Sequence, residues 1–219
     1  MTITLNVDAG EGGLLDASLI ALADSVNIAC GGHAGDLDSM QRTITLAEGK
    51  HIGAHPSYED RENFGRHPLT LPPEEISNTV ARQVGTLAQL TPLQHVKPHG
   101  ALYNQAQQDE AIAEAIITGI STILPSTKIF TLPGGALARA AAAAGHQVIG
   151  EGFIDRGYQA NGQLIPRGQP GGLITDPIEA LAQAKTLAAR DDIDILCIHS
   201  DSPKALELLK AIHQARHAL

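Results

Sequence analysis

The chain has no tryptophan and only three tyrosines and three phenylalanines, so its core must be built from alanine, leucine, isoleucine and valine. It holds only two cysteines, Cys30 and Cys197, far apart in sequence and each within an apolar run. A disulfide framework is therefore not expected, and two free buried thiols are. Cations are in deficit: 15 Lys and Arg face 24 Asp and Glu, a formal net charge of −9. Such a surface repels phosphate backbones, so nucleic acid is not an expected partner. No apolar run reaches the roughly 18 residues of a membrane-spanning helix, so no membrane association is expected. The opening Met1-Thr2-Ile3-Thr4-Leu5-Asn6 places no basic segment before an apolar stretch, so a secretory leader is not expected and the chain reads as cytoplasmic. The two common nucleotide loops, Gly-x-Gly-x-x-Gly after the first strand and Gly-x4-Gly-Lys-Ser/Thr, are missing.

What is present is a regular alternation. With 219 residues the chain fits one domain, residues 1–219, able to bury roughly 70% of its unfolded surface without a staple. Short apolar, β-branched runs predict strands at Ile3–Val7, Val26–Ala29, His51–Ala54, His95–Lys97, Lys128–Thr131, Gln147–Phe153 and Ile193–Ile198. Amphipathic stretches predict helices over Leu15–Asp24, Asp38–Gly49, Pro73–Leu90, Asp109–Leu124, Ala136–Ala144, Pro177–Arg190 and Pro203–His217. Asp38 and Asp176 fit N-caps, Pro177 a first helical position, and Gly49 and Gly145 helix stops. Seven βα units predict a parallel sheet with helical crossovers, either an open doubly wound sheet or a closed or nearly closed barrel.

The residues with chemistry gather just after the predicted strands. Asp8 and Glu11 follow the first, His33 and Asp36 the second, and His55 the third, with Arg61 and Arg66 close behind. Lys97, His99, Tyr103 and Asn104 follow the fourth strand, Asp155 and Arg156 the sixth, and His199 and Asp201 the seventh. In a parallel α/β barrel those strand ends meet at one mouth, where an enzyme pocket is expected. Asp8 reads as an acid or base at the end of a buried strand. Lys97, between Val96 and Pro98, reads as functional, because a buried lysine is costly unless paired. Arg156 and Arg167 suit a carboxylate or phosphate. Asp8, His33, His55 and His99 could hold a divalent metal; a metal-free reading, with the histidines as acids, bases and hydrogen-bond donors, stands beside it. Tyr58 is expected to pack locally, and His213 and His217 to be solvated. His51, His67, His95 and His146 are given no role.

Taken together, the blocks Asn6–Gly12, Ala29–Asp36, Gly53–Pro56, Asp60–Arg66, Val96–Asn104, Asp155–Tyr158, Pro166-Arg167 and His199-Ser200-Asp201 resemble the LamB/YcsF family, in order along nearly the whole chain. The resemblance implies an irregular seven-stranded β/α barrel similar to the glycoside hydrolase and deacetylase type. It implies a hydrolase that cleaves the cyclic amide of 5-oxoproline to L-glutamate with ATP hydrolysis, acting with 5-oxoprolinase subunits B and C. It carries over functional positions to Asp8, Glu11, His33, Asp36, His55, Lys97, His99, Asp155, Arg156, His199 and Asp201. ATP is then expected to be bound mainly by the partner subunits, and a divalent metal to be a possible cofactor. Two rival readings are a stand-alone metal-dependent deacetylase or amidohydrolase and a non-catalytic lactam-binding subunit. The chain departs from the family pattern at Gly32, where a bulky apolar residue is usual, at Ser200, where glycine is usual, and in a short segment at Arg190–Ile193.

Overall fold

Strand β1 (Thr4–Ala9) alternates apolar and polar residues, and both sets are buried. Leu5, Val7 and Ala9 join the apolar core under the helices, while Asn6 and Asp8 turn into the barrel. The same alternation recurs around a ring of parallel strands: β2 (Ser25–Ala29), β3 (His51–His55), β4 (His95–Val96), β5 (Lys128–Thr131), β6 (Gln147–Phe153) and β7 (Ile195–Ile198). Neighbours pair in sequence order, and β7 pairs with β1, which closes the barrel. The computed structural model describes residues 3–218. It bears out the seven-stranded barrel that the family resemblance implies and decides the choice that the strand and helix pattern leaves open.

Among the described residues lie eight α-helices: α1 (Asp16–Leu22), α2 (Leu37–Leu46), α3 (Pro73–Ala88), α4 (Gly100–Gln105), α5 (Glu110–Ile123), α6 (Ala136–Ala143), α7 (Pro177–Ala188) and α8 (Ala205–Ala215). Local chemistry starts them. Asp109 and Asp176 accept two backbone N–H bonds each as N-caps, and Pro73 and Pro177 occupy opening positions where no N–H partner is needed. Asp36, not Asp38, caps α2. Its carboxylate accepts from Ser39 N at 2.7 Å while Ser39 Oγ takes the Asp36 N–H, a closed capping box that Asp38, already inside the first turn, is too late to form. The short helix α4 is not expected from the sequence, because its Gly100 start reads as a loop. His213 is not free in solvent: its Nδ1 pairs with the Leu22 carbonyl at 3.0 Å, which docks α8 near the end of α1.

The barrel interior is polar where a parallel barrel usually stacks branched apolar side chains. Asn27 Nδ2 donates to Asn6 Oδ1 at 2.7 Å and to Asp8 Oδ1 at 2.9 Å, and Asn27 Oδ1 meets His95 Nε2 at 2.7 Å. The His95 ring also stacks on Phe130, with centroids 4.0 Å apart. Gly53 makes this possible, because a Cβ there would overlap the His95 ring. The network forms a rigid floor beneath the C-terminal strand ends. Burial holds the His95 imidazole neutral, with its pKa pushed down to about 3, and the charge of Lys97 adds to that.

Candidate active site

Lys97 leaves β4 and runs across the barrel axis, with its side chain only 3% exposed. Its Nζ lies 2.9 Å from Asp8 Oδ1, 3.2 Å from Glu151 Oε1 and 2.9 Å from Cys197 Sγ. Burial works against a charged lysine, but the carboxylates outweigh it, so its pKa lies well above the ordinary value. Burial likewise favours a neutral Asp8, yet His55 and Lys97 together hold its pKa well below the carboxylate range. The pair is therefore a nearly buried ion pair. Burial keeps the Cys197 thiol protonated in spite of Lys97. Both cysteines are free, as expected.

Next to this pair lies a tight group of imidazoles. His55 closes β3, His33 comes from the loop after β2, and His99 from the turn between β4 and α4. His33 and His99 stack with centroids 3.7 Å apart, and Phe64 packs edge-on against both. Glu11 Oε1 is 3.0 Å from His33 Nε2, 3.7 Å from His99 Nδ1 and 4.0 Å from His55 Nε2. Burial keeps His33 neutral, and for His99 burial, His33 and His55 together push the pKa well down. Gly65 makes the close stacking possible. It sits at φ +65°, and a Cβ on it would come within 2.8 Å of His33 Cβ.

A cavity of about 410 Å³ opens over these groups, a size typical of small-molecule sites. Asp8, His55, Lys97 and His99 form its floor, Tyr103 and Asn104 one wall, and Arg66, Arg156, Arg167 and His199 the rim. The segment after β6 doubles back through the bridges Arg156↔Leu173 and Tyr158↔Leu164, which brings Arg167 over the opening. His199 is aimed by Asp155, whose carboxylate meets its Nδ1 at 3.0 Å and also accepts from Ser202 Oγ. Burial would raise the Asp155 pKa, but His199 and Ser202 outweigh it and bring it to about 2.

Not every expected residue reaches the cavity. Asp36 is spent as the α2 cap, and Arg61 donates from Nε to the Gly31 carbonyl at 3.1 Å and from Nη2 to Gly35 O. Asp201 bridges Arg66 and Arg167 instead of lining the cavity, with its Oδ1 3.4 Å from Arg167 Nη2. Arg156 reaches the rim, but its Nε and Nη2 bind the carbonyls of Gly172 and Ile165 at 2.9 and 2.7 Å, which ties down the excursion after β6. Asp8, expected as a metal ligand, lies outside the close donor group of Glu11, His33, His55 and His99, because Lys97 and Asn27 take its Oδ1.

Other residues enter that the sequence does not single out. Glu151 is fully buried against Lys97 and accepts from Tyr103 Oη at 3.3 Å. Ser200 Oγ donates to Glu11 Oε2 at 2.7 Å. Asn6, Asn27 and His95 support the floor. The signal that could have found them is the polar alternation itself: in a fully buried parallel strand every second residue should be apolar too, and Asn6, Asp8, Asn27, His95 and Glu151 are not. Two of the three departures have local reasons. A side chain at Gly32 would come within 2.5 Å of Ser57 Oγ and 2.7 Å of Gln83 Oε1, so the buried Gln83, bonded to Ser57 N and O, fills that space. Ser200 supplies the hydroxyl that holds Glu11.

The sequence profile of the LamB/YcsF family matches residues 3–218. The A subunit of 5-oxoprolinase from Methylococcus capsulatus is 44% identical over 229 aligned residues, covering 93% of this chain and 88% of that protein. The crystal structure of the lactam utilization protein from Thermus thermophilus superposes with a TM-score of 0.87 at 36% identity, covering 98% of this chain and 97% of that one. Among the described residues, no helix is long and apolar enough to cross a membrane.

Proposed function

The chain belongs to the LamB/YcsF family, and from that premise we propose that it opens the lactam ring of 5-oxoproline to give L-glutamate, as the A-type subunit of an ATP-dependent 5-oxoprolinase working with B and C partner subunits. The observation that carries this reading is the Asp8–Lys97 pair on the cavity floor under a cationic rim, a placement suited to a small anionic amide.

A five-membered lactam resists water because its nitrogen lone pair is delocalised onto oxygen. ATP relieves that resistance: the lactam oxygen takes the γ-phosphoryl group, ADP departs, and the ring carbon becomes electrophilic. Water then adds to that carbon, the C–N bond breaks with the nitrogen gaining a proton, and the resulting acyl phosphate is hydrolysed by a second water to glutamate and phosphate. Asp8, ionised and oriented by Lys97 and Asn27, positions the first water and accepts its proton. His55 and His99 stand on the same floor; protonated on their inner nitrogens they would stabilise the developing oxyanion and return a proton to the ring nitrogen, and a divalent ion held there would take over the first task. Arg66 and Arg167, already sharing Asp201, receive the substrate carboxylate or the phosphate. With no familiar phosphate loop in the chain, ATP is held mainly by the partners.

The test is Asp8→Asn in the assembled complex, with glutamate release as the readout. Loss of a positioned base should lower kcat by about 100-fold or more. Unchanged turnover would overturn the assignment and leave the chain as a lactam-binding subunit without chemistry.

A further inference from the structure

We propose that Glu11, His33, His55 and His99 bind one divalent transition-metal ion of the zinc class, held behind the Asp8–Lys97 pair. The hydrogen-bond partners fix where the imidazole protons must be. His55 Nδ1 lies 2.7 Å from the Lys97 carbonyl, and His99 Nε2 lies 2.9 Å from the Phe64 carbonyl. A carbonyl only accepts, so each of these outer nitrogens carries its ring's proton. In the neutral rings the inner nitrogens, His55 Nε2 and His99 Nδ1, are then lone pairs, and they face each other at 3.0 Å. Two acceptors at that distance repel unless a cation lies between them. A ligating histidine characteristically donates its far N–H to a carbonyl in this way.

The other two donors complete the set. Glu11 Oε2 is occupied by Ser200 Oγ at 2.7 Å, which leaves Oε1 turned toward the rings. His33 Nδ1 has no partner among the described residues, so nothing opposes the tautomer that frees His33 Nε2 as a ligand. The four donor atoms all lie within 4.8 Å of one another. Measured separations of 3.0, 3.0, 3.7 and 4.0 Å bracket the edge of a tetrahedron built on zinc–nitrogen bonds, about 3.3 Å. Imidazole and carboxylate donors without thiolate suit zinc, cobalt and manganese rather than copper(I). Asp8 remains outside: its Oδ2 is 3.5 Å from His55 Nε2, but Lys97 already neutralises its charge. Entry is open, because His55 and His99 line the cavity. When bound, such an ion polarises a carbonyl oxygen or acidifies a water on the floor where the base already stands.

The full chain, stripped with a chelator and dialysed, is titrated with Zn²⁺ and with Co²⁺. Bound metal is counted by elemental analysis, the cobalt site is read from its visible spectrum, and stability from the thermal midpoint. One ion per chain is expected, with an imidazole-type cobalt spectrum and a midpoint raised by about 5–10 °C at a metal concentration 100-fold above Kd. Glu11→Gln removes the anionic ligand at nearly constant shape and should weaken binding at least tenfold. Ser200→Ala, which touches no metal, should weaken it by about 10- to 100-fold by releasing Glu11. Absence of stoichiometric metal with any of Zn²⁺, Co²⁺ or Mn²⁺, or full-affinity binding by Glu11→Gln, would overturn it and leave a shared proton between His55 and His99 as the account. The outcome is independent of ring opening: a chain that binds the ion but releases no glutamate keeps this inference and loses the proposed function.

Discussion

Replacing Lys97 with methionine isolates the strongest electrostatic feature of the fold. Methionine fills nearly the same volume, so packing changes little, but Asp8 and Glu151 lose the cation at 2.9 and 3.2 Å. Removing one partner of a buried ion pair typically costs about 3–5 kcal/mol. For a chain of this length that lowers the thermal midpoint by roughly 6–20 °C. The penalty has a pH signature. With Lys97 gone, Asp8 loses one of the groups that hold its pKa down, so the folded pKa rises from its depressed position while His55 still opposes burial. The stability that the ionised carboxylate contributes, present above the unfolded pKa and lost as pH falls, is therefore smaller in the variant. The gap to wild type should be widest near pH 8 and narrow toward about pH 4. Thermal melts of both proteins at the two pH values provide the assay, and Lys97→Met/Asp8→Asn should recover part of the loss. A midpoint within about 2 °C of wild type at both pH values would refute the buried ion pair.

Gly65→Ala forces a non-glycine residue to φ +65° and a Cβ to within 2.8 Å of His33 Cβ. It should cost about 1–3 kcal/mol in urea titration and separate the stacked His33 and His99 rings. His95 is neutral in the fold, with a pKa of about 3 against an unfolded value near 6.5. Its contribution is intact above about pH 6.5 and is lost as pH falls toward 3, about 3 kcal/mol of it by pH 4. Urea titrations at pH 7 and 4 should show that slope in wild type and a shallower one in His95→Gln. Arg167→Met should raise KM for 5-oxoproline about tenfold or more with a smaller change in kcat, which initial-rate kinetics of the complex would show.

The order of elements is legible in the sequence because each strand is a short β-branched run and several helices open on a cap or a proline. Asp109, Asp176 and Pro177 mark starts that the structure repeats. Closure of the barrel is not legible, since pairing of β7 with β1 joins residues nearly two hundred positions apart. Asp8, Lys97 and His99 can be singled out because polar side chains at buried strand ends require a partner. Glu151 lies inside the strand the sequence predicts, but its partner Lys97 on another strand is set by tertiary pairing that the sequence does not show. Asp36 looks like a site residue for the same reason that Glu11 does, a carboxylate in a glycine-rich loop after a strand. What separates them is tertiary: Ser39 claims Asp36, while Ser200 holds Glu11 toward the histidines.

The central claim is that this chain opens a lactam ring only within an ATP-dependent complex. The direct measurement is glutamate released from 5-oxoproline by the chain alone and by the chain with its B and C partners, each with and without ATP. Release is predicted only when partners and ATP are both present. ATP-independent hydrolysis of an amide by the chain alone would contradict it and identify a stand-alone amidohydrolase.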